Sequence, residues 1–358
     1  MTNSNPGVTS TQASFLKYTS GSGGVTFAYK FNVVLGGAVA RGIEMDTGST
    51  GIVVPLSAIG EYTVAQNPPD YTPSYSSSGN SYTGQWVETV VTIIDANGNS
   101  FTTPTPILVF GVTYPAGSPE ADGTSSGVSM MGVSTRFPGS DGFNPFLNHP
   151  NIVNGTFRSG YILSQEGVQF GYSEQDIASF KVYPTIVLPQ TGTAPPTRTA
   201  QAQVTLTPLA TSGLETYTET TPFLMDTGID YAIITPRTTP ETAGGTAPTP
   251  PDPTLWEVPL TLPAPPAPAG QTQAAPTETT QLISGVTVAV SLLDAQGAYQ
   301  SVWSFNTSNF GKPTTPAYAR LAKPSEEGIF NTSRYLLATN DYLADLTGSQ
   351  IGFRTPTA

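Results

Sequence analysis

Ile43-Glu-Met-Asp-Thr-Gly-Ser-Thr-Gly-Ile-Val-Val-Pro55 and Phe223-Leu-Met-Asp-Thr-Gly228 share one tetrapeptide, Met-Asp-Thr-Gly, at 45–48 and at 225–228. Each copy leads into an apolar run closed by proline, Ile52-Val-Val-Pro55 in the first and Ile233-Ile-Thr-Pro236 in the second. A second matched pair follows in each half, Val91-Thr-Ile-Ile-Asp-Ala-Asn-Gly98 and Val290-Ser-Leu-Leu-Asp-Ala-Gln-Gly297. The order is the same in both halves, which is the mark of a duplicated unit. The spacing is 180 residues for the first pair and 199 for the second, so the second half holds the longer insertion.

Working outward, residues 25–34, 42–55, 85–94 and 106–112 read as short alternating segments bounded by Gly, Asn, Pro or Ser. Asn97-Gly98 marks a hairpin turn. Residues 1–14 read as a loose tail and 15–188 as a first β lobe. Residues 189–200 form a Pro/Thr linker, and 201–358 a second β lobe with a Pro/Thr/Ala-rich insertion at about 238–281. One island in that insertion, Leu255-Trp-Glu-Val-Pro-Leu-Thr-Leu262, has the composition of a strand. The expectation is an all-β chain of two lobes.

Composition narrows the function. With 358 residues and a 37% hydrophobic fraction the chain is long and apolar enough for two cores. A net charge of −12, with 13 Lys and Arg in no basic run, lacks the footprint of a nucleic-acid binder. A Lys-poor acidic chain also suits work at acidic pH, where protonating carboxylates brings its net charge towards zero. The absence of cysteine removes thiol nucleophiles, disulfides and Cys metal sites. His149 is the only histidine, so Ser-His-Asp machinery and histidine metal clusters are set aside, and a surface or loop role is expected for it. No apolar run approaches a membrane span, and no signal sequence is visible at Met1. An exported protein, periplasmic or extracellular, is favoured over a cytoplasmic one.

The repeated motif has chemistry of its own. Asp-Thr-Gly after one apolar strand and before another sets a carboxylate on a tight turn. The glycines, Gly48 and Gly228, allow close backbone approach, and the hydroxyls of Thr47 and Thr227 can lock one turn against its twin. If the lobes are related by a pseudo-two-fold axis, Asp46 and Asp226 face each other and share a proton. Such a pair polarises a water, one carboxylate as base and the other as acid, with no cofactor and no metal. Asp341 and Asp345 read as solvated or capping carboxylates, and Trp86, Trp256 and Trp303 as core or wall residues. The sequons at Asn154, Asn306 and Asn331 matter only on a eukaryotic secretory route.

From about Phe15 to Arg354 the sequence resembles the pepsin-like aspartic peptidases, in a cysteine-free, bacterial-looking form. The two Asp-Thr-Gly segments match the family's two motifs. Ser74-Tyr-Ser-Ser-Ser-Gly-Asn-Ser-Tyr-Thr-Gly-Gln-Trp-Val87 resembles its flap, with Tyr75 as the flap tyrosine and Tyr82 as the alternative. Val128-Ser-Met-Met-Gly132 resembles the strand that supports the first catalytic loop. Tyr342-Leu-Ala-Asp345 with Ile351-Gly-Phe353 resembles the C-terminal ending. The resemblance implies a bilobal pepsin-like aspartic protease fold, with two pseudo-two-fold-related β lobes on an interdomain sheet. It implies an endopeptidase, acting as a monomer on peptide or unfolded protein bound extended in a long cleft. Catalysis would fall to Asp46 and Asp226, substrate binding to Tyr75, Tyr82, Gly48 and Gly228, and support to Thr47, Ser49 and Thr227.

Three departures stand out. Ile229 replaces the Thr or Ser of the second motif, so Asp226 is expected to lack one hydrogen bond that Ser49 supplies to Asp46. Val53 stands where the family has a tryptophan bracing the flap tyrosine. The second supporting strand is degenerate, with Asn331-Thr-Ser-Arg334 in its neighbourhood. Ile229 and the missing flap tryptophan favour a rival reading, a peptide- or protein-binding module that kept the fold and lost turnover; retention of both aspartates argues for the enzyme. A structural cell-surface protein using the Pro/Thr-rich tract is a third reading.

Overall fold

The computed structural model describes residues 13–21, 23–70, 72–75, 80–116, 118, 127–137, 142–188, 197–239, 249–263 and 276–356. Most of the expected tail and linker, and much of the Pro/Thr/Ala tract, lie outside them. The chain divides into two compact units, one formed by residues up to Arg198 with those from Thr339 onward, the other by Thr199–Ala338.

The strands form where apolar residues recur at every second position. Lys30–Leu35 buries Phe31, Val33 and Leu35 and turns the residues between them outward. Gln201–Thr207 does the same with Ala202, Val204 and Leu206 in the second unit. The first unit's nine-stranded sheet begins Ser100–Thr102, Val91–Ile94, Lys30–Leu35 and Arg41–Asp46. It continues Met130–Val133, Thr50–Pro55 and Ile107–Val112, and ends with Gly84–Thr89 and Thr63–Val64. The second unit's seven-stranded sheet runs Tyr299–Asn306, Thr287–Leu293, Gln201–Thr207, Tyr217–Leu224, Ile329–Asn331, Ala232–Thr235, Ala319–Leu321.

These seven strands reproduce the first seven of the nine in the same order and with the same directions. Met130–Val133 lies parallel to Arg41–Asp46 and antiparallel to Thr50–Pro55. Ile329–Asn331 lies parallel to Tyr217–Leu224 and antiparallel to Ala232–Thr235. The second repeated element is a hairpin in both units. Asp95 accepts backbone N–H bonds from Asn97 and Asn99 at 2.8 and 2.7 Å, and Asp294 accepts from Gln296 and Ala298 at 3.0 and 2.8 Å. Gly98 and Gly297 take the positive φ that each turn requires, 85° and 80°. The duplication seen in the sequence is therefore a duplication of topology.

Residues 339–358 do not continue the second sheet. Asp341–Asp345 pairs with Gly160–Leu163 on one side and Gln350–Arg354 on the other, inside a six-stranded sheet that also holds Ser14–Lys17, Gly167–Phe170 and Lys181–Pro184. All six strands belong to the first unit. Asp341 and Asp345 are buried in it rather than solvated, 5% and 1% exposed. Arg354 Nε lies 2.9 Å from Asp341, and Arg158 Nη2 lies 3.1 Å from Asp345. The island at 255–262 is a turn of helix, Pro253–Trp256, followed by a strand, Glu257–Leu262, which pairs with Thr277–Leu282. Asp252 caps the helix through the Thr254 N–H at 2.9 Å, which is why Leu255 and Trp256 leave the strand. Among the described residues no helix is long and apolar enough to cross a membrane.

His149 is not a surface residue. It is 5% exposed, and its ring lies 4.6 Å from that of Phe101 and 4.9 Å from that of Phe170, between centroids. Its Nδ1 accepts from the Asn151 N–H at 3.1 Å and so caps the helix Pro150–Val153. Burial lowers its pKa from 6.5 to about 4. The folded value lies below the unfolded one, so between pH 6.5 and 4 the unfolded chain binds the proton first. Stability is therefore full above about 6.5, falls by about 3 kcal/mol as pH drops towards 4, and loses no more from this group below that. As the sole histidine, its ring protons should titrate near pH 4 in the folded protein. His149→Asn, which keeps a capping oxygen, should shrink the difference in unfolding free energy between pH 7 and pH 4 by that amount. A histidine titrating near 6.5 in the folded chain would contradict the assignment.

Candidate active site

The two Asp-Thr-Gly loops are built alike, each within its own unit. Asp46 ends the strand Arg41–Asp46, and the chain turns through 47–49 into Thr50–Pro55. Gly132 is the register partner of both Asp46 and Gly51. A Cβ on Gly132 would stand 2.5 Å from the Thr50 backbone nitrogen, so only glycine lets the supporting strand lie this close beneath the loop. Two further residues brace that strand. Tyr161 donates to the Val133 carbonyl at 2.7 Å, and the Asn144 amide donates to the carbonyls of Val133 and Ser134 at 2.9 and 3.0 Å. Burial raises the Tyr161 pKa well above that of a free phenol, with Tyr342 and the Asp46 charge adding to the effect.

Asp46 is 4% exposed and Asp226 6%. The Gly48 N–H donates to Asp46 Oδ1 at 2.6 Å, and the Gly228 N–H donates to Asp226 Oδ1 at 2.9 Å. Ser49 Oγ is hydrogen-bonded to Asp46 Oδ2. Asp226 does not go short of the matching bond, as Ile229 led us to expect. The amide of Asn331 donates to Asp226 Oδ2 at 2.6 Å. The donor comes from the supporting strand instead of the loop, because Ile329–Asn331 runs parallel to Tyr217–Leu224 and sets Asn331 opposite Leu224. Next to it the buried Arg334 donates from Nη1 to the Thr227 carbonyl at 3.0 Å, and its backbone N–H donates to the Ile229 carbonyl at 3.1 Å. Sequence reasoning noticed this degenerate segment and missed its role. An Asn and an Arg in place of apolar residues beside an Asp-Thr-Gly lacking its hydroxyl were the available signal. Asn331 is 6% exposed and uses its amide on Asp226, so it is no glycosylation acceptor in the folded chain.

Thr47 and Thr227 are buried at 4% and 0% exposure, and Gly48, Ser49, Gly228 and Ile229 are half-buried. Ser74–Tyr75 pairs antiparallel with Asn80–Ser81, a short hairpin where the flap was expected. The side chain of Tyr75 lies outside the described residues, as do residues 76–79. Tyr82 is half-buried and packs against a cluster of Val53, Ala65, Trp86, Phe110 and Val112. Val53 shares this cluster with Trp86, whose ring meets Phe110 edge-on at 5.3 Å. Beside them opens a depression of about 370 Å³ whose walls include Ala65, Pro68, Trp86 and Phe110. In the second unit Tyr231 and Tyr318 stack with centroids 4.5 Å apart, and Arg320 lies over Tyr231 at 5.7 Å.

Two topologically matched β units, each with a buried Asp-Thr-Gly aspartate over a supporting strand, define the pepsin-like aspartic protease fold. Solved structures bear this out along nearly the whole chain. Basic 7S globulin from soybean superposes with a TM-score of 0.53 at 11% identity, covering 96% of both chains. The protein edgp gives 0.51 at 12%, over 96% of this chain and 94% of its own. Aspartic proteinase from Irpex lacteus gives 0.52 at 10%, over 97% and 98%. At these identities the likeness is one of fold. No family model matches the chain, and no curated protein matches it.

Proposed function

We propose that this protein is an aspartic endopeptidase in which Asp46 and Asp226 together activate a water molecule against a peptide carbonyl. One observation carries the reading. Two buried carboxylates occupy the same place in a duplicated strand order, and each is held by a glycine N–H at Oδ1 and a side-chain donor at Oδ2. A carboxylate held in this way is aimed and kept from solvent, which is what general acid–base work on a neutral water requires. The ionised member takes a proton from the water while the protonated member gives its own to the carbonyl oxygen. The resulting tetrahedral diol collapses as the first passes its proton to the leaving amine and the second recovers one from a hydroxyl. Water is consumed, a carboxylic acid and an amine are formed, and the pair returns to its starting state.

The substrate is an extended peptide or unfolded protein. The rival, a binding module without turnover, leans on the missing hydroxyl at 229 and on the missing tryptophan at 53; Asn331 supplies the donor absent at 229. The test is incubation with acid-denatured haemoglobin from pH 2 to 7, with and without a hydroxyl-bearing peptide mimic of the tetrahedral state. Cleavage that the mimic blocks and Asp46→Ala abolishes is the expected result. Mimic binding without cleavage would transfer the chain to the binding-module class. Cleavage that persists in Asp46→Ala would sink the assignment of the site.

A further inference from the structure

Ser49 and Ile229 hold the same position in the two copies, directly after Asp-Thr-Gly, yet only Ser49 has a group to offer its aspartate. We infer that Asn331 is the positioning residue of the second half of the site, supplying the bond that Ile229 cannot make and rendering the two carboxylates unequal. The catalytic meaning of this assignment rests on the protease reading above; the hydrogen bond and the inequality do not.

The orientation of the amide is fixed by its other end. Asn331 Oδ1 accepts the Ser333 N–H at 3.0 Å, so Nδ2 faces Asp226, and a flipped amide would break both bonds. Ser333 reaches back this far by taking a φ of 64°, a left-handed conformation that a serine enters only under constraint. That constraint is visible. The Tyr335 N–H donates to Ser333 Oγ at 3.3 Å, and Arg334 grips the carbonyls of Thr227 and Ile229. The segment 331–335 is therefore tied to the very loop that carries Asp226, although Asn331 and Asp226 stand 105 residues apart.

The inequality follows from donor chemistry. An amide NH₂ and a backbone N–H only donate, whereas a hydroxyl donates or accepts by turning about its C–O bond. Asp226 receives the Gly228 N–H at Oδ1 and the Asn331 NH₂ at Oδ2, two groups that only donate. Asp46 receives the Gly48 N–H at Oδ1, and its Oδ2 meets the Ser49 hydroxyl, which can donate or accept.

Four variants and two readouts test this. Asn331→Leu removes the donor and should lower kcat roughly 10- to 100-fold, the worth of one hydrogen bond to a charged group, with KM little changed. Ile229→Ser placed in the Asn331→Leu background restores a hydroxyl from the loop and should recover most of the loss. Asn331→Asp keeps the acceptor for Ser333 and so guards against a simple folding failure. It donates only while its own carboxyl is protonated, so its activity should collapse as pH rises through the ordinary carboxylate range. Activity lost equally at every pH, with no rescue by Ile229→Ser, would reduce Asn331 to a structural residue and overturn the inference. The second readout needs no turnover. The Asn331 side-chain amide resonance, identified by its loss in Asn331→Leu, should move to a new position in Asp226→Asn. An amide indifferent to that replacement overturns the inference even if the chain cleaves nothing, and a responsive one upholds the positioning even if the protease reading fails.

Discussion

Asp226→Asn is expected to lower kcat by at least ~10³-fold, Asp46→Asn to do the same, and the double replacement to cost no more than either alone. On the proposed reading the two act on one water as one device, so removing either half leaves only the catalysis due to binding. The two single variants should nevertheless differ in stability. At position 46 an amide presents N–H to Ser49, whose hydroxyl turns to accept it. At position 226 an amide meets two groups that only donate, the Gly228 N–H and the Asn331 NH₂. Whichever way it turns, one buried donor faces another, a loss of about 1–3 kcal/mol. Urea unfolding of the two variants should show this gap, with Asp226→Asn the weaker. Equal midpoints would mean that the Asn331 amide is not committed to Asp226.

The largest effect on stability is expected at Asp345. Its carboxylate, 1% exposed, gathers Arg158 at 3.1 Å, the Tyr172 hydroxyl at 3.0 Å, the Gly348 N–H at 3.0 Å and Gln350 at 2.9 Å. Burial opposes the charge on Arg158, and the Asp345 carboxylate reverses this, holding the guanidinium above its ordinary pKa. Burial and then Asp345 also raise the Tyr172 phenol. Asp345→Leu strips one of two carboxylate partners from the half-buried Arg158, which keeps Glu174, and leaves three further donors without their acceptor, so about 3 kcal/mol should be lost. Replacing Arg158 by Met in the same chain should return part of it, because an apolar pair leaves no charge stranded. A denaturation midpoint for Asp345→Leu within error of the parent would show that the cluster contributes nothing.

Much of this architecture could be read from the residues. Met-Asp-Thr-Gly twice, with Val91–Ile94 and its Asp-Ala-Asn-Gly turn echoed at 290–297, announced a duplicated β unit, because turn chemistry and two-residue alternation are local properties. That Asp46 and Asp226 stand at matched turns of the two units was legible for the same reason. What stayed hidden depends on contacts made across the sequence. Asn331 meets Asp226 only because a parallel strand brings it there. His149 looked like a loop residue because nothing beside it in sequence reveals that Phe101 and Phe170 enclose its ring. Asp341 and Asp345 looked solvated because their arginines, Arg354 and Arg158, are supplied by other strands and loops. The side chain meant to play the flap tyrosine, Tyr75, lies outside the described residues, while Tyr82 has its place against Trp86.

The return of residues 339–358 to the first unit bears on how the chain is made. Asp341–Asp345 lies third from one edge of the six-stranded sheet, so a ribosome delivers an interior strand of that sheet only after the entire second unit. Until then Gly160–Leu163 has an open edge, the kind of unpaired ladder that recruits wrong partners during synthesis. Thr199–Ala338, being continuous, has all its own strands earlier and is the part able to settle first. Completion of the first unit must wait for a pairing that spans about half the polypeptide, a slow step by topology alone.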